Sequence, residues 1–468
     1  PGGHALAAAA LLAAAAVAGA PSLGPALGAQ TQPPVATVAT GAQPRVITLR
    51  EAVDLALQRN ITLRQAENAS ALDELAVRTA RQAFLPDFSF STRSSQSYGR
   101  NFSQEEGRIV NQTTESVSAG VQSSMTLWDG GGNRANLRQA RTTESAGELA
   151  LDRAKQTVVF DVLSNYLALL EQQEQIGVRR EALAAQEAQE TQVKAFVDAG
   201  VRPISDLYQQ QATVAAARVA LVQTERALAL AETDLIRTLQ LDPRGTYSFA
   251  RPEVADTSVA ADLRPASGAA LDSLMTLAFA SRADLEAQET RLRAAEEGIS
   301  VARANRRPSV SLSMGYNSTY NSASEISFID QFDQRRGGSV GVGISVPIFD
   351  RGATSVATER AQVQVDNARL ALEDLRQEVA LQVRRAVLDR QATAAQLAAA
   401  EAQLRAAELA LQSSRERYEV GAATLLELTQ ARAAQVEAAA ALVSARYTYT
   451  FQRALLDYYT GELDAGNF

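Results

Sequence analysis

Few residues in this chain belong to the types that perform covalent or acid–base chemistry. It contains 53 Asp and Glu residues, a single histidine, His4, and no cysteine. Disulfides, zinc sites with Cys ligands and nucleophile–histidine pairs are therefore excluded. A carboxylate enzyme would need acids that converge in a pocket, whereas these are spread along predicted helix faces. The sequence predicts no catalytic residue, no metal site and no cofactor.

The charge and composition of the chain limit the classes of molecule that it can bind. The net charge of −8 argues against nucleic acid, because phosphate binding requires a clustered positive field. Three methionines and one histidine argue against a path for copper or silver, whose soft ions need Met or His ligands. The interior has no run of roughly 18 uncharged apolar residues, the length of a spanning helix.

Residues 1–29 resemble a signal peptide that lacks its charged start. Ala5 to Ala20 is almost entirely Ala, Leu and Val, and Leu27-Gly28-Ala29 is typical of a cleavage site. The alternative is a genuine N-terminal helix. Cleavage after Ala29 would remove His4 and predicts an exported protein that begins with a flexible segment, residues 30–45.

The chain contains two copies of one sequence unit. Four features recur at a spacing of 221 or 222 residues: Pro86 and Pro308, Asp129 and Asp350, Gly200 and Gly421, Leu207 and Leu428. Such a constant register predicts a tandem duplication. The predicted repeats are 46–241 and 270–460, with a Pro-rich connector at 242–269 and a tail at 461–468.

Each predicted repeat contains a helix, two strands, a very long helix and a further helix. Pro86 ends the first leading helix, expected from about Leu49 to Ala83. Polar loops are expected at Gly99–Thr113 and Asn317–Gly338. The predicted strands are about 87–98, 115–128, 309–320 and 339–349.

The strands alternate strictly between apolar and polar residues, so one face should meet an apolar medium and the other water. A soluble sandwich is the alternative. The lengths of the predicted strands favour a membrane barrel over a soluble sandwich, since a tilted outer-membrane strand needs roughly 9–11 residues. Aromatic residues near the strand ends are typical of the girdles of such a barrel. The predicted girdle residues are Trp128, Phe349, Tyr98, Tyr316 and Tyr320.

Four strands cannot close a barrel, and open edges are not tolerated in lipid. Closure therefore needs several chains. Two, three or four copies would each close, and three would give twelve strands.

Two stretches of about seventy residues, Gly131–Ala199 and Ala353–Val420, lack proline and predict helices on the order of 100 Å long. A heptad pattern, including Leu397 and Leu404, continues in the following helix from Leu428 and predicts coiled-coil packing. A periplasmic adaptor hairpin shares this pattern, but does not carry four amphipathic strands. The turns fall at Asp198–Ile204 and Glu419–Thr424.

From about Leu49 to Thr460 the sequence resembles the TolC family of outer-membrane factors. The resemblance is carried by the duplicated unit, by the run from Gly200 to Leu207, and by Tyr418-Glu419-Val420-Gly421 followed by Glu427-Leu428. It implies an α+β membrane protein: a homotrimer with a 12-strand outer-membrane β-barrel and a 12-helix periplasmic α-barrel. It implies a passive exit duct for efflux or type I secretion, working with a periplasmic adaptor and an inner-membrane pump or ABC transporter.

The resemblance also assigns residues. The adaptor-binding positions would be Gly200, Val201, Arg202, Pro203, Gly421, Ala422, Ala423 and Thr424. The alternative is that both glycines only end helices. The pore-entrance positions would be Asp206, Glu427, Gln430 and Tyr418; solvated surface is the alternative for the two acids.

The second turn departs from the family pattern, because Ala423 and Gln430 replace an arginine and an aspartate. The entrance lock of the family is therefore altered, and Arg202 is a candidate substitute. A coiled-coil adhesin is the other class of protein considered. It would carry one sheet module at a terminus, whereas here strands and helices alternate twice.

Overall fold

The computed structural model describes residues 45–103, 107–251 and 268–463. The predicted signal peptide, most of the segment 30–45, residues 252–267 of the connector and residues 464–468 of the tail lie outside the described residues. Two compact units form. One contains residues 74–142 and 293–366, and the other contains 41–73, 143–292 and 367–468, as far as these are described.

The elements follow in chain order. The strands are β1 (Arg45–Ile47), β2 (Asp87–Ser103), β3 (Arg108–Asp129), β4 (Tyr247–Phe249), β5 (Ser309–Asn321) and β6 (Gly337–Ser345). The helices are α1 (Leu49–Arg59), α2 (Ile61–Gln82), α3 (Gly132–Asp198), α4 (Ile204–Thr238), α5 (Gly268–Ser281), α6 (Ala283–Ala304), α7 (Phe328–Gln334), α8 (Ala353–Glu419) and α9 (Leu425–Thr460).

The first unit contains an antiparallel sheet in the order β2-β3-β5-β6. Its register places apolar residues opposite one another, as in the row Phe90, Val121 and Tyr316. The neighbouring row, Ser91 and Gly120, belongs to the other face. This separation confirms the predicted alternation, since successive side chains point to opposite faces of a strand.

The strand ends differ from the predicted ones. β2 continues to Ser103 and β3 begins at Arg108, so the predicted loop at 99–113 is wrong in extent: polar residues pair in the ladder there. β6 ends at Ser345 rather than near 349, because Pro347 cannot donate to a ladder. The predicted loop at 317–338 contains helix α7.

The single leading helix predicted at 49–83 is two helices. Asn60 lies between α1 and α2, and its side-chain oxygen accepts hydrogen bonds from the backbone N–H groups of Thr62 and Leu63 at 2.9 and 3.2 Å. An Asn that caps the next helix in this way ends the preceding one. Arg282 separates α5 from α6 at the corresponding place in the second half.

The two long helices confirm the prediction from the proline-free stretches: α3 and α8 each have 67 residues. The main core of the second unit surrounds Tyr166, which is fully buried. Part of the predicted irregular connector forms β4, which pairs in parallel with β1. The heptad residue Leu397 is buried together with Tyr449 of α9, as the seam predicts.

Candidate functional site

The turn between α3 and α4 is an ordered connection. Gly200 has a φ of +71°, a left-handed conformation that costs glycine little. The backbone N–H groups of Val201 and Arg202 donate to the Phe196 carbonyl at 2.9 and 3.3 Å. Pro203 has a φ of −73° and occupies the N-cap position of α4. The Phe196 carbonyl near the end of α3 is thereby satisfied within the turn.

The turn between α8 and α9 uses the same backbone conformation, with a φ of +75° at Gly421. The Ala422 N–H donates to the Arg417 carbonyl at 2.8 Å. Thr424 caps α9, because its hydroxyl oxygen accepts a hydrogen bond from the Glu427 N–H at 3.2 Å. Glu427 is also 3.3 Å from the Arg417 guanidinium.

Arg202 joins the two turns. Its guanidinium carbon lies 4.9 Å from the centre of the Tyr418 ring, within the range of a cation–π contact. The same guanidinium is 3.8 Å from the Asp206 carboxylate. Tyr418 is 5% exposed, and its hydroxyl has no hydrogen-bond partner among the described residues. Burial raises the pKa of Tyr418, so it remains a neutral phenol.

A small apolar cluster lies beneath the turns. Tyr418 and Ala423 pack there with Val193, Leu425 and Leu428. Ala423 is 7% exposed, so its side chain is removed from the surface that a partner could reach. The other predicted adaptor-binding positions keep accessible surface: Arg202 is half-buried, and Gly200, Val201, Pro203, Gly421, Ala422 and Thr424 are exposed.

Several apolar side chains at these turns are exposed and were not predicted as site residues. Besides the predicted Val201, they are Ile204, Tyr208, Val420 and Leu426. Val420 is 80% exposed. The sequence could have indicated these residues, since apolar residues at the ends of a turn do not belong to the heptad pattern and so are not explained by coiled-coil packing. Contiguous exposed apolar groups are typical of a protein-binding surface.

The predicted entrance acids are paired within the chain. Asp206 lies beside Arg202, and Glu427 beside Arg417. Gln430 is exposed. The charges of the Asp206 and Glu427 carboxylates are therefore partly compensated by arginines, which weakens the negative potential that unpaired acids would create.

The predicted girdle residues occupy different environments. Tyr98, Tyr316, Trp128 and Phe349 are exposed, with Phe349 at 84%. Tyr98 lies inside the ladder, opposite Thr113, and not at a strand end. Phe349 lies beyond β6. Tyr320 is half-buried, and its ring centre is 4.9 Å from that of Phe328 in α7.

Within the part of the chain that the structure describes, no cluster of His, Cys, Asp and Glu has metal-binding geometry. None of the described helices has the length and hydrophobicity needed to cross a membrane.

The model of the outer membrane efflux protein family matches residues 52–239 and 274–462. The chain belongs to this family. The match covers most of both halves and confirms the resemblance inferred from the turns and the repeated unit. Members of the family are outer-membrane channels without catalytic activity, so the chain is not an enzyme.

Known proteins support this membership. The chain is 25% identical to the outer membrane efflux protein BepC of Brucella suis over 352 residues, which cover 75% of this chain and 71% of BepC. It is 28% identical to protein CyaE of Bordetella pertussis over 349 residues, covering 73% and 68% of the two chains.

Solved structures share the fold. The CmeC outer membrane channel of Campylobacter jejuni has a TM-score of 0.74 and 18% identity, covering 90% of this chain and 88% of CmeC. The outer membrane protein VceC of Vibrio cholerae has a TM-score of 0.75 and 20% identity, covering 88% and 96%.

Proposed function

We propose that this family member is the homotrimeric exit duct of a tripartite efflux or type I secretion system. Three tandem-duplicated chains form a 12-strand barrel in the outer membrane and a 12-helix tube in the periplasm. Substrates pass through it passively, from a periplasmic adaptor and an inner-membrane pump or ABC transporter to the exterior.

One observation carries the proposal: the sheet has two open edges and an exposed apolar face. Among the described strands, β2 pairs only with β3, and β6 pairs only with β5. On one face, Phe88 is 75% exposed and Val340 is 73% exposed. In lipid an unpaired edge needs a strand from another chain. Joining the β2 edge of one copy to the β6 edge of the next gives a ring in which every strand is paired.

The turns supply the proposed docking and entrance surfaces. The exposed apolar side chains around Val201 and Val420 suit the packing of an adaptor hairpin against the helix ends. Asp206, Glu427, Gln430 and Tyr418 lie at the same turns and are the proposed entrance residues. Arg202 contributes the positive charge that the family pattern has at position 423.

Cross-linking between sheet edges tests the assembly. The chain has no native cysteine, so Ser95→Cys on β2 and Ser339→Cys on β6 introduce the only thiols. Outer-membrane extracts of the double variant, treated with a short bis-maleimide, should give covalent dimers and trimers and no tetramer. Each single-cysteine variant should give no trimer, because joining opposite edges requires both positions.

Light scattering in mild detergent provides an independent mass. Cross-linked products larger than three copies, or a scattering mass above that of three copies, would overturn the trimer. A monomer in the soluble fraction would overturn the membrane duct.

A further inference from the structure

A basic pocket lies where α6 leads into the sheet of the first unit. Its volume is about 500 Å³. The last turn of α6 and the residues after it contribute three arginines, and the first two turns of α8 contribute hydroxyl groups. The lining residues are Arg303, Arg306, Arg307, Thr354, Ser355, Thr358 and Glu359.

Of the three arginines, Arg307 alone has a side-chain hydrogen bond or ion pair with another described residue. The Arg307 guanidinium donates to the Gly130 carbonyl at 2.9 Å. Arg303 and Arg306 are exposed and have no ion pair within the described ranges. Glu359 is the single acid in the lining, and it accepts a hydrogen bond from the Ser355 hydroxyl at 3.3 Å. The pocket therefore has a surplus of positive charge.

Two aspartates near the pocket accept hydrogen bonds from the backbone. The Asp350 carboxylate accepts hydrogen bonds from the backbone N–H groups of Gly352 and Thr354 at 3.0 and 2.9 Å. Asp129 accepts from the backbone N–H groups of Gly131 and Asn133. Both aspartates serve as caps where a strand leads into a long helix, and within the described ranges neither forms an ion pair with Arg303 or Arg306.

Strongly apolar residues precede the part of the pocket that α8 contributes. Ile348 is 96% exposed and Phe349 is 84% exposed, and both stand a few residues before Thr354. At the equivalent end of β3, the Arg134 guanidinium lies 5.9 Å from the centre of the Trp128 ring. An exposed apolar residue followed within a few positions by an arginine, as Phe349 is by Arg351 and Trp128 by Arg134, is typical of the boundary between acyl chains and headgroups.

We propose that this pocket binds the phosphate of an anionic phospholipid in the membrane leaflet on the helix side of the sheet. A guanidinium presents paired N–H donors to phosphate oxygens, and Arg303 and Arg306 both line the pocket. The inference rests on the proposed function in one respect, because it requires the sheet to lie in a membrane.

Lipid retention tests the site. The full chain is purified in mild detergent with equimolar phosphatidylglycerol and phosphatidylethanolamine, and the lipids retained are counted by native mass spectrometry. The test variant is Arg303→Gln/Arg306→Gln. The control, Arg226→Gln/Arg405→Gln, removes the same charge from exposed positions on α4 and α8.

We expect the wild type and the control to retain phosphatidylglycerol preferentially. The test variant should lose this preference by about fivefold for each arginine removed. Equal preference in the two variants would overturn the site. So would displacement of phosphatidylglycerol by millimolar inorganic phosphate, which would indicate a site for soluble anions. Loss of the oligomer in the test variant alone, without a change in lipid preference, would show that a second copy fills the pocket.

The test separates the two proposals because the same samples are sized. A monomer that still selects phosphatidylglycerol through Arg303 and Arg306 would overturn the trimer and support the headgroup site. A trimer in which both variants retain the same lipids would support the duct and overturn the site.

Discussion

The Arg202 guanidinium lies over the ring of Tyr418, 4.9 Å from its centre, and so connects the two turns within one chain. The family resemblance implies an arginine at position 423, where this chain has a buried alanine. The cation thus comes from the first turn and reaches the second across the apolar cluster. The entrance that we propose would be held by a contact within each chain.

Arg202→Gln should loosen this connection. The cation–π contact of a half-buried arginine is worth about 1 kcal/mol, so amide hydrogen exchange at residues 199–204 and 418–424 should accelerate by roughly fivefold. A double-mutant cycle with Tyr418→Leu should give a coupling energy of about 1 kcal/mol. Arg218→Gln is the matched control, since Arg218 pairs with Glu187 away from the turns. Equal exchange in both variants would contradict the connection.

Asp284→Asn should destabilise the second unit by about 3 kcal/mol, because it leaves buried positive charge uncompensated. Arg282 is almost fully buried and lies 2.6 Å from Asp284, and Arg153 is 3.5 Å away. Thermal unfolding followed by circular dichroism measures the change. The exposed pair of Arg376 and Glu289 provides the control: Glu289→Gln should cost less than about 1 kcal/mol.

The effect of Asp284 should depend on pH. Burial alone would raise the pKa of Asp284, but the hydrogen bond and charge of Arg282, together with Arg153, lower it below its ordinary value of 3.8. The folded chain therefore binds a proton less readily than the unfolded chain. The stabilisation is present above pH 3.8 and is lost as the pH falls through the folded pKa. The difference between wild type and Asp284→Asn should shrink on acidification; a constant difference would contradict this role.

Tyr166→Phe should cost about 1–2 kcal/mol, because two backbone carbonyls lose the single phenol O–H that they share in the core. Tyr166 donates to Ile47 in β1 at 3.1 Å and to Ala250 just after β4. Burial raises the pKa of Tyr166 to about 12, so the donor keeps its proton at neutral pH. Tyr208→Phe, at a side chain that is 61% exposed, should leave the melting temperature unchanged. Equal melting temperatures for both variants would show that the pairing of β1 with β4 does not need this donor.

Arg93→Glu should shift the ion selectivity of reconstituted channels towards cations. Arg93 pairs with Ser118 on the polar face of the sheet, which would line the lumen of the proposed barrel. Arg100, opposite Asn111, lies an odd number of residues from Arg93 along β2 and therefore belongs to the apolar face. Reversal potentials in a KCl gradient should therefore move for Arg93→Glu and stay constant for Arg100→Glu. The reverse pattern would place the apolar face inside.

The features that could be predicted from sequence depend on residues close together in the chain. The absence of proline and the heptad spacing predict α3 and α8 almost to the residue. Gly200 and Gly421 mark both turns because a left-handed backbone favours glycine. The strict alternation along β3 and β6 separates an apolar from a polar face before any pairing is known.

Other features depended on competing local interactions. Asn60 interrupts a pattern that reads as one helix, because its side chain replaces a backbone acceptor for α2. Gln331 in α7 is fully buried and bonds to the backbone of Asn321 and Ile326. Polar residues in a predicted loop thus form ordered structure once a buried amide satisfies the backbone.

The sequence by itself determined the repeated order of helices and strands, the long helices and the turns, since each follows from local periodicity, glycine and proline. Its resemblance to known outer-membrane factors indicated the family. Only the tertiary structure decided which distant residues meet. Arg202 faces Tyr418, and Arg282 and Arg153 share Asp284. β1 pairs with β4, and Arg303 and Arg306 line the same pocket as Thr354. Such contacts join segments far apart in the chain, and their geometry is set by the packing of whole elements, which no local spacing encodes.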